Sequence, residues 1–425
     1  MHVIKGKFNE LWKRGAFHIF IGSFLSKFVS FFGSIFLVRA LSKTSYGQLG
    51  YIENIYGYVY IFAGFGLSNA LLRYVILGKN IEEKFGYYRY TMIKGTIINI
   101  IIVILAGIGL IFYPHPEEFK SSFFLLVLLL MVLPFQYLID SNSLIFRALF
   151  ANKKFAIATL ATTAILIIGR YIGATINELN GVILATIVVN VVFGVGLCWI
   201  TYRLYFKGKQ PILIQKNEKK IIDKFSMQYM VTNGIWIVFM LNDIFMLSRF
   251  TGDASVLADY KVAYVLPGNL SIISTAIGVF LGPYFVKHES DKTWVWQNYK
   301  KMLITIACII IPIVSVLYIF AKPIITVLYG SQYESIVPVM RLLLIASFAN
   351  SGLRYTSAHL LSSMGKIKYN MLISIFGVLA QIGINLILIP VYGAKGAAYT
   401  SIFVYLLMAL FLFVVFTKNY RVKLH

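Results

Sequence analysis

Lys27, Glu53, Asp140, Arg147, Arg170, Asp243 and Arg354 are ionisable side chains set inside segments that are otherwise apolar. A charge at the centre of a bilayer costs about 2.5–3.5 kcal/mol even on a lenient insertion scale, so such residues face a bundle interior or a wet cavity, where they pair or bind. The cations suit an anionic ligand, because Lys and Arg in a low-dielectric cleft hold phosphate more strongly than they do at a surface. Lys27, Arg170, Arg354 and Arg147 are therefore the candidate substrate-binding cations. Asp243, Asp140 and Glu53 are the candidate coupling or counter-charge carboxylates.

Each has a plainer reading beside that one. Lys27 is too deep in its segment to snorkel, and Ser23, Ser26 and Ser30 flank it at spacings of three and four, which marks a polar stripe on one helix face. That stripe is expected to face a cavity, with Asp243, at the matching depth of the second half, as the partner of Lys27. Arg147 precedes Lys153 and Lys154 and reads equally as a topology determinant. Arg170 sits between Gly169 and Gly173, which let another helix approach. Arg354, among Asn350, Ser351, Thr356 and Ser357, is expected on a wet helix face, and Glu53 and Asp140 serve as counter-charges or proton carriers.

The elements that must position these groups follow from composition. The 425 residues are 59% hydrophobic and 13% charged, about half the charged fraction of a soluble domain. Apolar stretches long enough to span recur at 17–39, 46–73, 92–113, 121–147, 155–176, 181–202, 226–248, 259–285, 302–321, 336–362, 369–390 and 397–417. The expectation is an all-α integral membrane protein of twelve helices. The first span is too long and aromatic for a cleaved signal peptide. Cys198 and Cys308 fall inside predicted helices, which points to packing.

Net charge +23 raises nucleic-acid binding, and the placement of the charges answers it. Lys5, Lys7, Lys13 and Arg14, then Lys79 to Lys94, Arg147 to Lys154, Arg203 to Lys224, Lys287 to Lys301, Lys366 and Lys368, and Lys418 to Lys423 all fall in segments on one side. That asymmetry places both termini in the cytoplasm and leaves nucleic acid without a role. Membrane lipids, by contrast, are expected partners of the basic face.

The chain also pairs with itself at offsets of 213 to 215 residues: Arg147 with Leu360, Gly181 with Gly396, Tyr46 with Tyr260. Six helices repeated in one orientation make two parallel lobes around a central cavity, an arrangement common in secondary transporters. The boundaries expected are 1–205 for the first lobe, 206–225 for a hydrophilic cytoplasmic linker, and 226–425 for the second. Pro134, Pro267 and Pro312 are candidate kinks. None of the Gly-Lys pairs ending at Lys7, Lys79, Lys209 or Lys366 is followed by Ser or Thr, so no phosphate cradle for ATP is legible. The six His are scattered without ligand spacing, and neither a metal nor an organic cofactor is expected.

One stretch is more specific. Leu37-Val-Arg-Ala-Leu-Ser-Lys-Thr-Ser-Tyr-Gly-Gln-Leu-Gly, followed by Phe62-Ala-Gly-Phe-Gly-Leu-Ser-Asn-Ala-Leu-Leu-Arg-Tyr-Val75, resembles the start of the Wzx-type polysaccharide biosynthesis flippases of the multidrug/oligosaccharidyl-lipid/polysaccharide (MOP) exporter superfamily. The resemblance implies a non-enzymatic transporter of the bacterial inner membrane. Its substrate would be an undecaprenyl-diphosphate-linked oligosaccharide, an O-antigen or capsule repeat unit, moved between leaflets by alternating access. It also implies a coupling ion, H+ or Na+, and a polysaccharide polymerase and chain-length proteins as partners. The Arg39–Gly47 and Arg73–Val75 motif itself reads as a fold and hinge signature. A cation-coupled drug antiporter of the same superfamily is the nearest alternative, and a lipid II flippase another. A membrane glycosyltransferase or polymerase is the alternative of a different class.

Overall fold

The computed structural model describes residues 16–421; the basic terminal residues Lys5, Lys7, Lys13, Arg14 and Lys423 lie outside the described residues. Among the described residues every regular element is a helix: α1 (Ala16–Ala40), α2 (Lys43–Tyr60), α3 (Leu67–Leu77), α4 (Ile81–Phe112), α5 (Phe123–Leu130), α6 (Leu133–Ala148), α7 (Asn152–Thr201) and α8 (Lys216–Thr251), then α9 (Ala254–Asn269), α10 (Ser271–Lys287), α11 (Lys292–Ile319), α12 (Ala321–Tyr329), α13 (Val337–Ser347), α14 (Tyr355–Ser363), α15 (Ile367–Tyr392) and α16 (Ala394–Tyr420), with short helical turns between some of them. Their outer faces are inverted relative to a water-soluble bundle. Helix α4 exposes Ile93, Ile97, Ile100, Ile104 and Ile108 at helical spacing, while Met92, Gly95 and Asn99 are buried. Large exposed apolar faces of this kind belong against lipid. The chain is a multi-pass membrane protein.

Among the described residues, nine helices are long and apolar enough to cross a membrane, and ten if the bent pair α2 and α3 is one span. Two features reconcile this with the twelve spans expected. The stretch Asn152–Phe206 counts once, yet Asn177 and Glu178 inside it have non-helical dihedrals. A Cβ built on Gly173 would lie 2.2 Å from the carbonyl oxygen of Gly181, whereas eight residues of straight helix would separate the two by about 12 Å. The stretch is a helical hairpin. The second feature is the pair α9 and α10, of 16 and 17 residues, which breaks after Pro267 so that neither half alone is long enough to span a bilayer.

The second span breaks for a reason that the sequence motif carries. Gly64, Phe65 and Gly66 all have positive φ, and the two halves meet at 44°. The Tyr137 ring would lie 2.4 Å from a Cβ on Gly64, and the Ser226 carbonyl oxygen 2.5 Å from one on Gly66, so both positions need glycine for conformation and for space. Asn99 accepts the Gly64 N–H at 3.0 Å, which satisfies a backbone donor freed by the break.

The helices cluster into two compact units. One comprises the chain up to Ser45 with Ile52–Gly234; the other comprises Tyr46–Tyr51 with the chain from Ile235. The first is centred on a core that includes Leu71, Phe85, Phe146 and Phe206, with the Phe85 and Phe206 rings stacked at 4.6 Å. The second is centred on Tyr299, Ile306, Met408 and Phe416, with the Tyr299 and Phe416 rings stacked at 3.8 Å. The division falls later than the 206–225 linker expected from sequence, because that segment is bound to the first unit. Ile212 N–H donates to the Glu82 carbonyl at 3.1 Å, Asp223 pairs with Lys94, and Tyr87 donates to Glu218.

The internal repeat is visible in backbone dihedrals. The α7 hairpin turns at Glu178 with φ 40°, ψ −128°, and the turn between α15 and α16 uses Gly393 with φ 56°, ψ −131°, 215 residues later. Glycine adopts this conformation freely. Glutamate does not, and its carboxylate accepts a hydrogen bond from Ser45 Oγ at 2.7 Å.

Candidate functional site

The first unit encloses a cavity of about 630 Å³, within the range of sites that hold small ligands. Helix α1 contributes Ser30 and Ser34 on one face; α7 contributes Thr159, Thr162 and Thr163; Ser68 and Asn69 open α3 beside it. Helix α6 adds Gln136, Asp140, Ser143 and Arg147. The last four recur at spacings of three and four, so one helix face carries amide, carboxylate, hydroxyl and guanidinium in a line.

Two of the cavity charges are compensated within the site. Arg170 bonds the Glu53 carboxylate through Nη1 at 2.8 Å and donates from Nε to Thr186 Oγ1 at 2.9 Å. Asp140 accepts from the Tyr60 hydroxyl and from Gln136 Nε2. Arg147 differs: it is exposed, its guanidinium lies 5.3 Å from the Phe155 ring centre, and it has no carboxylate partner among the described residues. Phe155 and Arg170 are fifteen residues apart on α7, which is about 22 Å of helix. The cavity thus has a free cation at one end and a neutralised ion pair at the other, with hydroxyls between them.

Lys27 is exposed and does not contribute to the cavity wall, although it precedes Ser30, Ser34 and Leu37 on the lining face of α1 at spacings of three and four. Of the expected stripe Ser23, Ser26 and Ser30, only Ser30 lines the cavity; Ser26 is buried and donates from Oγ to the Gly22 carbonyl at 2.8 Å. The expected role of Asp243 as a lysine counter-charge is corrected. Its Oδ1 accepts from Gln381 Nε2 at 3.0 Å and Asn385 Nδ2 at 2.8 Å. Its Oδ2 accepts from the Tyr260 hydroxyl at 2.7 Å and Ser401 Oγ at 3.1 Å. Four neutral donors of its own lobe satisfy the carboxylate.

Arg354 is also corrected. It is 3% exposed and lies at the end of a π-helical turn, Phe348–Arg354, rather than on a wet face. Its Nε donates to Asn350 Oδ1 at 2.7 Å, and its guanidinium lies 4.5 Å from the Trp236 ring centre and 5.7 Å from that of Tyr405. Aromatic rings, whose faces attract cations, stabilise it in the core of the second lobe.

Sequence reasoning missed Tyr60, Gln136 and the threonines of α7, whose types carry no charge signal. It also missed the Asp243 cage, although Gln381 and Asn385 stand one turn apart in an apolar helix and were legible as a polar pair. Among the described residues no group of three or more His, Cys, Asp or Glu side chains converges as a metal site.

A family model described as "Polysaccharide biosynthesis protein" matches residues 36–338, most of the chain, including the cavity residues from Leu37 to Arg170. The chain belongs to the polysaccharide biosynthesis protein family. This family member is 22% identical to an uncharacterised membrane protein of Methanocaldococcus jannaschii, over 95% of this chain and 83% of that protein. Its fold is that of MOP-superfamily transporters. The lipid II flippase MurJ in an inward closed conformation matches with TM-score 0.73 and 17% identity, over 95% of this chain and 88% of that one. An inward-facing multidrug resistance MATE transporter matches with TM-score 0.72 and 12% identity, over 93% and 96%. A MOP-superfamily transporter from Pyrococcus furiosus matches with TM-score 0.65 and 13% identity, over 96% and 94%.

Proposed function

We propose that this member of the polysaccharide biosynthesis family is a flippase that carries an undecaprenyl-diphosphate-linked oligosaccharide, an O-antigen or capsule repeat unit, from the inner to the outer leaflet by alternating access. The observation that carries the reading is the division of the first-lobe cavity into a free cation and a hydroxyl wall. Among the described residues Arg147 has no carboxylate partner, and it offers its fork to a diphosphate. Ser30, Ser34, Thr159, Thr162 and Thr163 offer paired donors and acceptors, the complement of a sugar's hydroxyls. Arg170, neutralised by Glu53, can orient sugar hydroxyls at the far end without competing for phosphate. Lys27 adds positive potential on the face by which the headgroup enters.

Movement is coupled to an ion, H+ or Na+, and the residues that hold it are the Asp243 set. The amide nitrogens of Gln381 and Asn385 both point at Asp243, while Gln381 Oε1 and Asn385 Oδ1 are buried without a donor. Amide oxygen and nitrogen exchange places by a half-turn of the side chain. Turned over, the two amides would present oxygens beside the carboxylate and Ser401 Oγ, an all-oxygen donor set that suits a hard cation. A bound cation would supply the charge that neutralises a buried carboxylate.

Deleting the gene in its host tests the reading. Surface polysaccharide should fall and lipid-linked repeat units should accumulate on the inner face. Unchanged polysaccharide with new drug sensitivity would instead favour the antiporter.

A further inference from the structure

We propose that the second lobe carries a binding site for the phosphate headgroup of an anionic membrane phospholipid, in a groove where α11, α13 and α16 meet at one membrane face. The groove encloses about 260 Å³ and is lined by Tyr318, Arg341, Leu342, Ile345, Lys395 and Tyr399, together with Pro338. Tyr318 ends α11, Arg341 lies in the first turns of α13, and Lys395 is the second residue of α16. Three separate elements therefore bring their polar groups to a single depth. Beneath that depth the wall is apolar.

The charge in the groove has no internal answer. Arg341 donates from Nε to the Tyr318 carbonyl at 3.1 Å and lies 5.0 Å from the Tyr318 ring centre, contacts that hold the guanidinium in place without neutralising it. Lys395 is exposed, and among the described residues neither cation has a carboxylate partner. The first turn of α16 adds the positive end of a helix dipole. An isolated interfacial lysine simply snorkels to water. Here two cations from different helices converge on one concave site beside two tyrosines.

What lies below decides the occupant. Tyr399, Phe403, Leu406 and Leu410 are exposed along α16 at spacings of four, three and four, and Ile345 is exposed on α13. A cationic head site that opens onto an apolar track several turns long complements a molecule with an anionic head and an acyl chain. A free anion would use only the upper part. Nothing in this arrangement depends on the first-lobe cavity or on the proposed transport reaction.

The test is phospholipid retention by the full-length protein in detergent, read by native mass spectrometry during titration with phosphatidylglycerol and, separately, with phosphatidylcholine. Wild type should hold phosphatidylglycerol on the order of thirtyfold more tightly than R341Q/K395Q, from two interfacial cations acting together. Phosphatidylcholine should show no such difference, and R341K/K395R should retain most of the wild-type affinity. Lys120→Gln, in the first lobe and paired with Glu117, should leave retention unchanged. Equal retention by wild type and R341Q/K395Q, or equal retention of the two lipids, would overturn the site. Displacement of the lipid by millimolar inorganic phosphate would overturn the lipid assignment in favour of a free-anion site.

Discussion

Replacing Asp243 by Asn separates a coupling site from a structural hydrogen-bond hub. The amide keeps one oxygen for Gln381 Nε2 and Asn385 Nδ2, and the hydroxyls of Tyr260 and Ser401 can rotate to accept from the new NH₂. Four charge-assisted bonds become neutral ones, a loss of about 1 kcal/mol each. Relief from burying a carboxylate without a cation is worth several kcal/mol in the other direction. The two nearly cancel, so the sodium-free D243N protein should unfold within a few degrees of wild type. With sodium the two should diverge. A cation at one hundred times its dissociation constant stabilises the folded state by about 2.7 kcal/mol, and about 2–4 °C per kcal/mol for a lobe of this size gives a rise of about 5–10 °C. The assay is thermal unfolding of purified protein in sodium chloride against choline chloride at matched ionic strength, with a pH series for the proton alternative. If D243N retains the wild-type cation or pH response, Asp243 does not hold the coupling ion.

Arg147→Gln should cut transport of a labelled lipid-linked oligosaccharide in proteoliposomes by at least tenfold while leaving unfolding unchanged, because Arg147 is exposed with only Phe155 beside it; normal transport would remove it from the site. In a double-mutant cycle, R170M and E53Q should each destabilise the first lobe and the double variant should recover part of the loss, giving a coupling of about 1–2 kcal/mol; additive losses would mean that the pair is not a unit. Gly64→Ala must adopt φ +52° against the Tyr137 ring and should cost about 3 kcal/mol or more, whereas Gly107→Ala meets nothing within 4 Å and should be neutral or stabilising, as denaturation midpoints would show. Glu178→Gly should relieve about 1–3 kcal/mol of backbone strain while losing the Ser45 bond, and Glu178→Ala should lose the bond without the relief, so an alanine variant as stable as the glycine one would contradict the strain.

Much of the architecture was legible because lipid imposes strong rules on composition. Spans must be apolar for about 20 residues. The hinge reading was attached to Arg39–Gly47 and Arg73–Val75, whereas the left-handed break lies between them at Gly64 and Gly66, in glycines whose conformation the sequence does not display. The turn pair seen as Gly181 and Gly396 in sequence proved to share its dihedrals at Glu178 and Gly393. The lobe boundary was less legible, since a hydrophilic run such as 206–225 looks the same whether it is free or bound, and contacts from a distant helix, including those of Glu82, Tyr87 and Lys94, bind it.

The sequence alone determined that the chain crosses a membrane many times as a duplicated helical unit and which charges lie deep within it. Those facts are carried by hydropathy, spacing and charge sign, which are properties of the chain taken locally. Which charges are free was decided only by tertiary structure. Arg147, Arg170 and Arg354 are the same residue type in similar settings, yet one has no carboxylate partner among the described residues, one bonds Glu53 and one is held among aromatic rings. The difference depends on which side chains of other helices approach within a few ångströms, and that proximity comes from packing between residues far apart in the chain.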